Sequence, residues 1–312
     1  MTNIDKTLIQ PPPRWAAWIG AVWIWSLLSP LIGFAGALPL SASSLSAYSK
    51  PHKRPQGHKN SIHPGGTLMD ARQAVAAYKA HVDFHVGEAH FEIVRIPAGH
   101  FEMGSPQREQ GHDPSESPVR RIHISQAFYL GKYEVTQAQY RAVMGMLEMS
   151  DYHGDSYPMD SVPNAHAVTF CQKLSHLTGL HVVLPTEAQW EYACRAGAET
   201  RFYLGDSEAA LARAGWYRGN SGEHLHEVGQ KEPNAFGLYD MLGNVGEMCE
   251  DEIGDHETMA ATDPKGSVTS YRTSLRGGAW MFPAEDCRCA AQTVANGMMP
   301  SPGQGFRIAV IP

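Results

Sequence analysis

Asp240 and Glu247 stand on either side of Gly243-Asn244, a turn signal because both residue types tolerate positive φ. A turn leaves carbonyl oxygens free, and two carboxylates beside free carbonyls make an oxygen-only site, the ligand set calcium prefers. The plain alternative is a tight turn with two solvated acids. Thiols are the other candidate chemistry. The chain has five cysteines, Cys171, Cys194, Cys249, Cys287 and Cys289, so at least one is unpaired within it. No C-x-x-C pair occurs, and Cys287-Arg288-Cys289 is too close for a usual zinc knuckle.

The elements that must position these residues are short. Phe91–Ile96 roughly alternates, as a half-buried strand does; Pro97-Ala98-Gly99 turns it and His100–Met103 returns. Val119–Ile124 and Phe128–Leu130 are further strand candidates. Thr136 is placed to cap a helix through Met144, and Asn164 starts one that Gly179 ends. Thr186 with Gln189 forms a capping box, and Trp190 and Cys194 share a face of the helix it opens. Asp206 or Ser207 caps a short helix through Ala214, and from Gly215 onward the chain reads as mostly irregular. No βαβ alternation appears, which argues against a doubly wound sheet. Phosphate-binding loops, dinucleotide fingerprints, G-x-S-x-G and H-E-x-x-H are absent.

The chain has 312 residues and a net charge of −7, an acidity that argues against nucleic acid as a partner. Near the N-terminus, Lys6 and Arg14 precede an apolar, uncharged run over 15–38 with Ala35-Gly36-Ala37 near its end. That is the pattern of an export signal, and the run is also about long enough to span a bilayer as an uncleaved anchor. Either way the later residues are expected beyond the membrane, periplasmic or secreted, with 15–38 as signal or tether. Residues 1–47 are therefore assigned to the signal or anchor, 48–90 to a linker with a short helix, and 91–312 to the domain. The linker carries His52, His58 and His63, which could chelate a transition metal but have no fixing spacing, so it reads more simply as a solvated basic tether. Its helix, Met69 to His81, places Ala71, Ala74, Val75 and Tyr78 on one face.

The stretch Gly237–Asp251, GLYDMLGNVGEMCED, resembles the signature of the formylglycine-generating enzyme family, also called the sulfatase-modifying factor family, usually GLYDM-x-GNVWEW. Four further segments match in the family's order: Ile96–Gly99 with Met103-Gly104-Ser105; Tyr133–Thr136; Leu184–Ala188 through Trp190–Arg195; and Arg276–Trp280 with Gly305-Phe306-Arg307. The resemblance implies a compact, irregular, loop-rich α+β fold related to the C-type lectin fold. It also implies calcium held by the side chains of Asp240 and Glu247 and the carbonyls of Gly243 and Val245. A disulfide between Cys194 and Cys289 is implied as well; it would close a loop of about 95 residues, for which chain entropy gives roughly 4–5 kcal/mol. The family's second bridge is not expected, because Ile308 follows Arg307.

Family enzymes oxidise a sulfatase cysteine to formylglycine with oxygen and a Cu(I) ion held by two cysteines, a soft pair suited to that metal. At the first of those positions this chain has Phe282, and the second falls near Ala284. Ala279, Gly246 and Met248 also replace the family's usual serine and two tryptophans. Copper is therefore not expected. Cys287 with Cys249 remains an alternative soft-metal or disulfide pair, and Glu285 and Asp286 enter the altered loop as acids able to abstract a proton. Glu285, Asp286 and Cys287 are the candidate catalytic residues. Two functional readings follow: an exported binding or accessory module for an unidentified protein, peptide or small molecule, or an oxidoreductase of altered chemistry. For the second, certain relatives without the copper cysteines act in siderophore maturation. A sulfatase activator is the third and least favoured reading.

Overall fold

Alternating apolar residues begin the folded structure earlier than Phe91. In the computed structural model, β1 (His81–Val86) runs antiparallel to β2 (Ala89–Ile96). Val82 and Phe84 point inward at a spacing of two, and Phe84 stacks on Phe91 at 5.0 Å. The segment expected as linker over 48–90 thus supplies the first strand of the sheet. Ahead of it, α1 (Leu68–Ala76) buries Ala71 and Val75. Tyr78 leaves the helix with φ 53° and is exposed, so the expected helical face is one turn shorter.

Residues 68–145, 150–251, 260–266, 272–296, 299 and 301–312 are described. They belong to one unit spanning Asn60–Pro312. The expected signal or anchor and the linker histidines lie outside the described residues, among which no helix is long and apolar enough to cross a membrane.

β3 (Gly99–Met103) and β4 (Arg120–Ile124) pair as a separate ribbon, and β5 (Phe128–Gly131) returns to the first sheet. α2 (Gln137–Met144) opens with a reciprocal Thr136–Gln139 capping box and stops at left-handed Gly145. α3 (Asn164–Thr178) stops at Gly179 in the same way and leads into β6 (His181–Val183). α4 (Glu187–Arg195) has the expected Thr186–Gln189 box, and α5 (Glu208–Ala214) is capped by Ser207.

Beyond Gly215 the chain is less irregular than expected. β7 (Gly246–Met248), β8 (Arg272–Arg276), β9 (Gln292–Asn296) and β10 (Gln304–Gly305) form a four-stranded sheet in the order β10-β7-β8-β9. β11 (Ala309–Ile311) enters the first sheet, whose order is β1-β2-β5-β11-β6. The result is the mixed, loop-rich fold the motifs predict. One apolar cluster packs α1, α2 and α3 on the first sheet; a second gathers α4, α5 and the Leu238–Leu242 segment.

Candidate functional site

The turn ahead of β7 is left-handed at three points: Asp240 at φ 54°, Gly243 at 79° and Asn244 at 54°. Gly243 also meets the Trp216 carbonyl, which would lie 2.1 Å from an added Cβ, so no side chain fits. Asn244 holds the turn. Its Nδ2 donates to Glu134 Oε2 (2.8 Å), and its Oδ1 accepts from the His226 amide (3.1 Å). Glu134 Oε1 accepts from the Val245 amide at 3.0 Å.

Beneath this turn lies a buried ionic cluster. Arg307 grips Glu247 with two bonds, Nε to Oε2 and Nη2 to Oε1, both 2.6 Å. Trp190 Nε1 donates to the same Oε2 at 2.7 Å. Asp240 Oδ2 accepts from the Gly229 amide at 2.6 Å, while Asp240 Oδ1 is buried without a partner. Glu134, Asp240, Glu247 and Arg307 are each at most 1 % exposed. Three carboxylates therefore share one guanidinium. Burial, then the charges of Asp240 and Glu247, push Glu134 well above the usual carboxylate range. Burial pushes Asp240 up to about 6, opposed by the Gly229 amide and by Arg307.

This donor set fits a divalent cation: a second charge beside Arg307 would let the crowded carboxylates ionise, and Asp240 Oδ1 is buried with no hydrogen-bond partner. Of the expected ligands, Asp240 is best placed. Glu247 already accepts three N–H bonds and would have to share with Arg307.

α4 sets the neighbouring loop. Glu191 Oε1 accepts from Gly104 N (2.9 Å) and Arg195 Nε (2.9 Å), and its Oε2 from Arg276. Arg276 also reaches the Ala290 carbonyl, tying β8 to the end of the loop. Gly277 (φ 88°) and Gly278 (φ 73°) open that loop, and an added Cβ on Gly278 would stand 2.5 Å from Cys287 Sγ. The three catalytic candidates do not converge. Cys287 turns inward and is fully buried, whereas Glu285 is exposed and lines a cleft of about 310 Å³ with Arg201, Glu208, Tyr217 and Arg218. Asp286 is exposed beside them.

All five cysteines are buried free thiols in this structure. Burial pushes Cys171 up to about 12, and Cys194, Cys249 and Cys287 also rise, chiefly through burial. Cys194 Sγ points at the Met241 carbonyl (3.9 Å); the thiol of Cys289, with which it is expected to pair, is close enough to interact with it and is held below the usual thiol value by that neighbour. Phe282 is half-buried, its carbonyl accepting from Arg218 N at 2.9 Å.

Sequence reasoning missed Glu134 and Arg307 as members of the cluster. Both lie in recognised motifs, and the available signal was a charge flanked by apolar residues, Tyr133-Glu134-Val135 and Phe306-Arg307-Ile308.

Residues 85–311 match the family described as Sulfatase-modifying factor enzyme 1-like domain. The chain belongs to this family. It is 27% identical over 279 residues to the formylglycine-generating enzyme of Mus musculus, covering 70% of this chain and 74% of that one. Among solved structures, Treponema denticola variable protein 1 aligns with a TM-score of 0.67 at 28% identity, over 74% of this chain and 99% of its own. PvdO from Pseudomonas aeruginosa aligns with a TM-score of 0.67 at 27% identity, over 75% and 99%. As a sulfatase-modifying factor domain the chain is a divergent member, with Phe282 at the first expected copper-cysteine position.

Proposed function

We propose that this protein is an exported binding or accessory module, braced by calcium beneath the Gly243-Asn244 turn and lacking cysteine-to-formylglycine activity. The observation that carries the reading is Phe282, half-buried where the first copper thiolate is expected, beside a Cys287 that is buried and protonated. A soft metal needs thiolates, and burial disfavours them here. Calcium would be held by Asp240, the carbonyls of Gly243 and Val245, and Glu247 shared with Arg307. It would offset the buried negative charge and fix the turn, with no part in a reaction. Export rests on the apolar run over 15–38, and an oxidising compartment would let the adjacent Cys194 and Cys289 thiols bridge. The ligand, a protein, peptide or small molecule, would meet the cleft lined by Arg201, Tyr217 and Glu285.

The test is an aerobic assay of the copper-loaded protein on a sulfatase-derived cysteine peptide. The expected result is an unchanged peptide mass; robust formylglycine formation overturns the reading. A second reading, an oxidoreductase of altered chemistry, is favoured by Glu285, an acid on the cleft. Oxygen uptake with candidate small molecules, lost in Glu285→Gln, would support it over the first.

A further inference from the structure

The β1–β2 hairpin carries ligating side chains that the reading above does not use. Strand alternation turns Asp83 and His85 of β1, and His90 and Glu92 of β2, away from the core. The register sets Asp83 opposite Glu92 and His85 opposite His90. Two carboxylates directly opposite one another repel and weaken strand pairing. The buried face has no need of them, because the Phe84–Phe91 stack already pins the register.

A bound cation would offset that repulsion. One ligand atom each from Asp83, His90 and Glu92 lies within 4.8 Å of the other two. His90 Nε2 is 3.6 Å from Asp83 Oδ1, and the His85 ring stacks on the His90 ring at 4.7 Å. Metal–ligand bonds of about 2.0–2.2 Å need only a modest closing of these side chains. The backbone beneath is fixed: the His90 carbonyl accepts from Gln139 Nε2 at 2.7 Å. The His90 and Asp83 side chains are 46% and 63% exposed, which leaves coordination positions open to water or a ligand. The cation now beside Glu92 is the Lys132 ammonium, at 3.0 Å.

We infer that Asp83, His90 and Glu92 form a surface site for a divalent transition-metal ion of the zinc class. An imidazole with two carboxylates suits zinc, cobalt or nickel, whereas calcium takes an all-oxygen shell. Asp83 lies just ahead of the family match, which starts at residue 85, whereas His90 and Glu92 lie within it.

Calorimetric titration of the full-length chain with zinc tests this, alongside Asp83→Ala and His90→Ala. The substituted side chains are exposed, and circular dichroism verifies the fold. Because His52, His58 and His63 can also bind zinc, the readout is the difference between proteins. The wild type is expected to bind one equivalent more than either variant, and Lys132→Met, which removes the competing ammonium, to bind that equivalent more tightly. Equal zinc stoichiometry and affinity in the wild type and either variant overturns the inference. So does an absence of zinc binding by the wild type, or displacement of that equivalent by equimolar calcium.

Discussion

Trp190 touches two buried ion clusters that solve the same problem differently. Its ring lies 5.4 Å from the Arg276 guanidinium, and its Nε1 donates to Glu247. On the first side, Glu191 is answered by two arginines, Arg195 and Arg276, and despite full burial its carboxyl is held below the usual range. On the second, Glu134, Asp240 and Glu247 share Arg307, and burial carries Glu134 and Asp240 upward. Glu187 shows the intermediate case: Arg276 reaches it only at 4.0 Å, and burial pushes it up to about 7. A buried carboxylate with matched charge is scaffold. One left short of positive charge is driven toward its protonated form unless a cation joins it.

The sharpest way to break this comparison is to remove an arginine from each side. Arg307→Ala and Arg276→Ala both strand buried carboxylates, and each is expected to cost about 3–5 kcal/mol in denaturant unfolding. Calcium should restore part of the loss in Arg307→Ala and none in Arg276→Ala. Equal rescue of both, or of neither, removes the distinction between the clusters.

Next in size is the response of the unaltered protein to calcium. At a hundred times the dissociation constant, binding to the folded state alone stabilises by about 2.7 kcal/mol. The thermal midpoint should rise accordingly and should not move in Asp240→Ala. Magnesium, which demands a tighter octahedral shell, should give less.

The two clusters should also respond oppositely to pH. Asp240 titrates near 6 when folded and near 4 when unfolded, so the folded state binds the extra proton between those values. Without calcium, its contribution to stability therefore falls as pH rises through that window, and calcium should flatten the slope. Glu191 is shifted downward, so its contribution is present above the ordinary glutamate range and is lost as pH falls below it. Unfolding midpoints across pH, with Asp240→Ala as the difference, separate the two. The smallest effect is expected at the exposed Arg213–Glu232 pair: Arg213→Ala should leave the midpoint within error.

Much of this architecture is legible in the chain because local signals carry it. Thr136 and Thr186 open helices through capping boxes, and Gly145 and Gly179 close them. The second sheet is not legible. β7 and β10 are three and two residues long and lie among glycines, too short for alternation to show. β1 is legible in retrospect, since Val82, Phe84 and Val86 alternate with Asp83 and His85 at the strand period, which the linker reading of 48–90 passes over. The turn acids Asp240 and Glu247 can be picked out, but their partner Arg307 lies 60 residues past Glu247 and Glu134 lies 111 residues before Val245. Only the fold brings together charges so distant in sequence, and only burial reveals that they do not balance.

The most direct measurement is elemental analysis of the full-length protein and its Asp240→Ala variant after equilibration with calcium and dialysis against calcium-free buffer. The wild-type chain is expected to retain one calcium and the variant none. No retained calcium in the wild type, or the same amount in both, would contradict the proposed site.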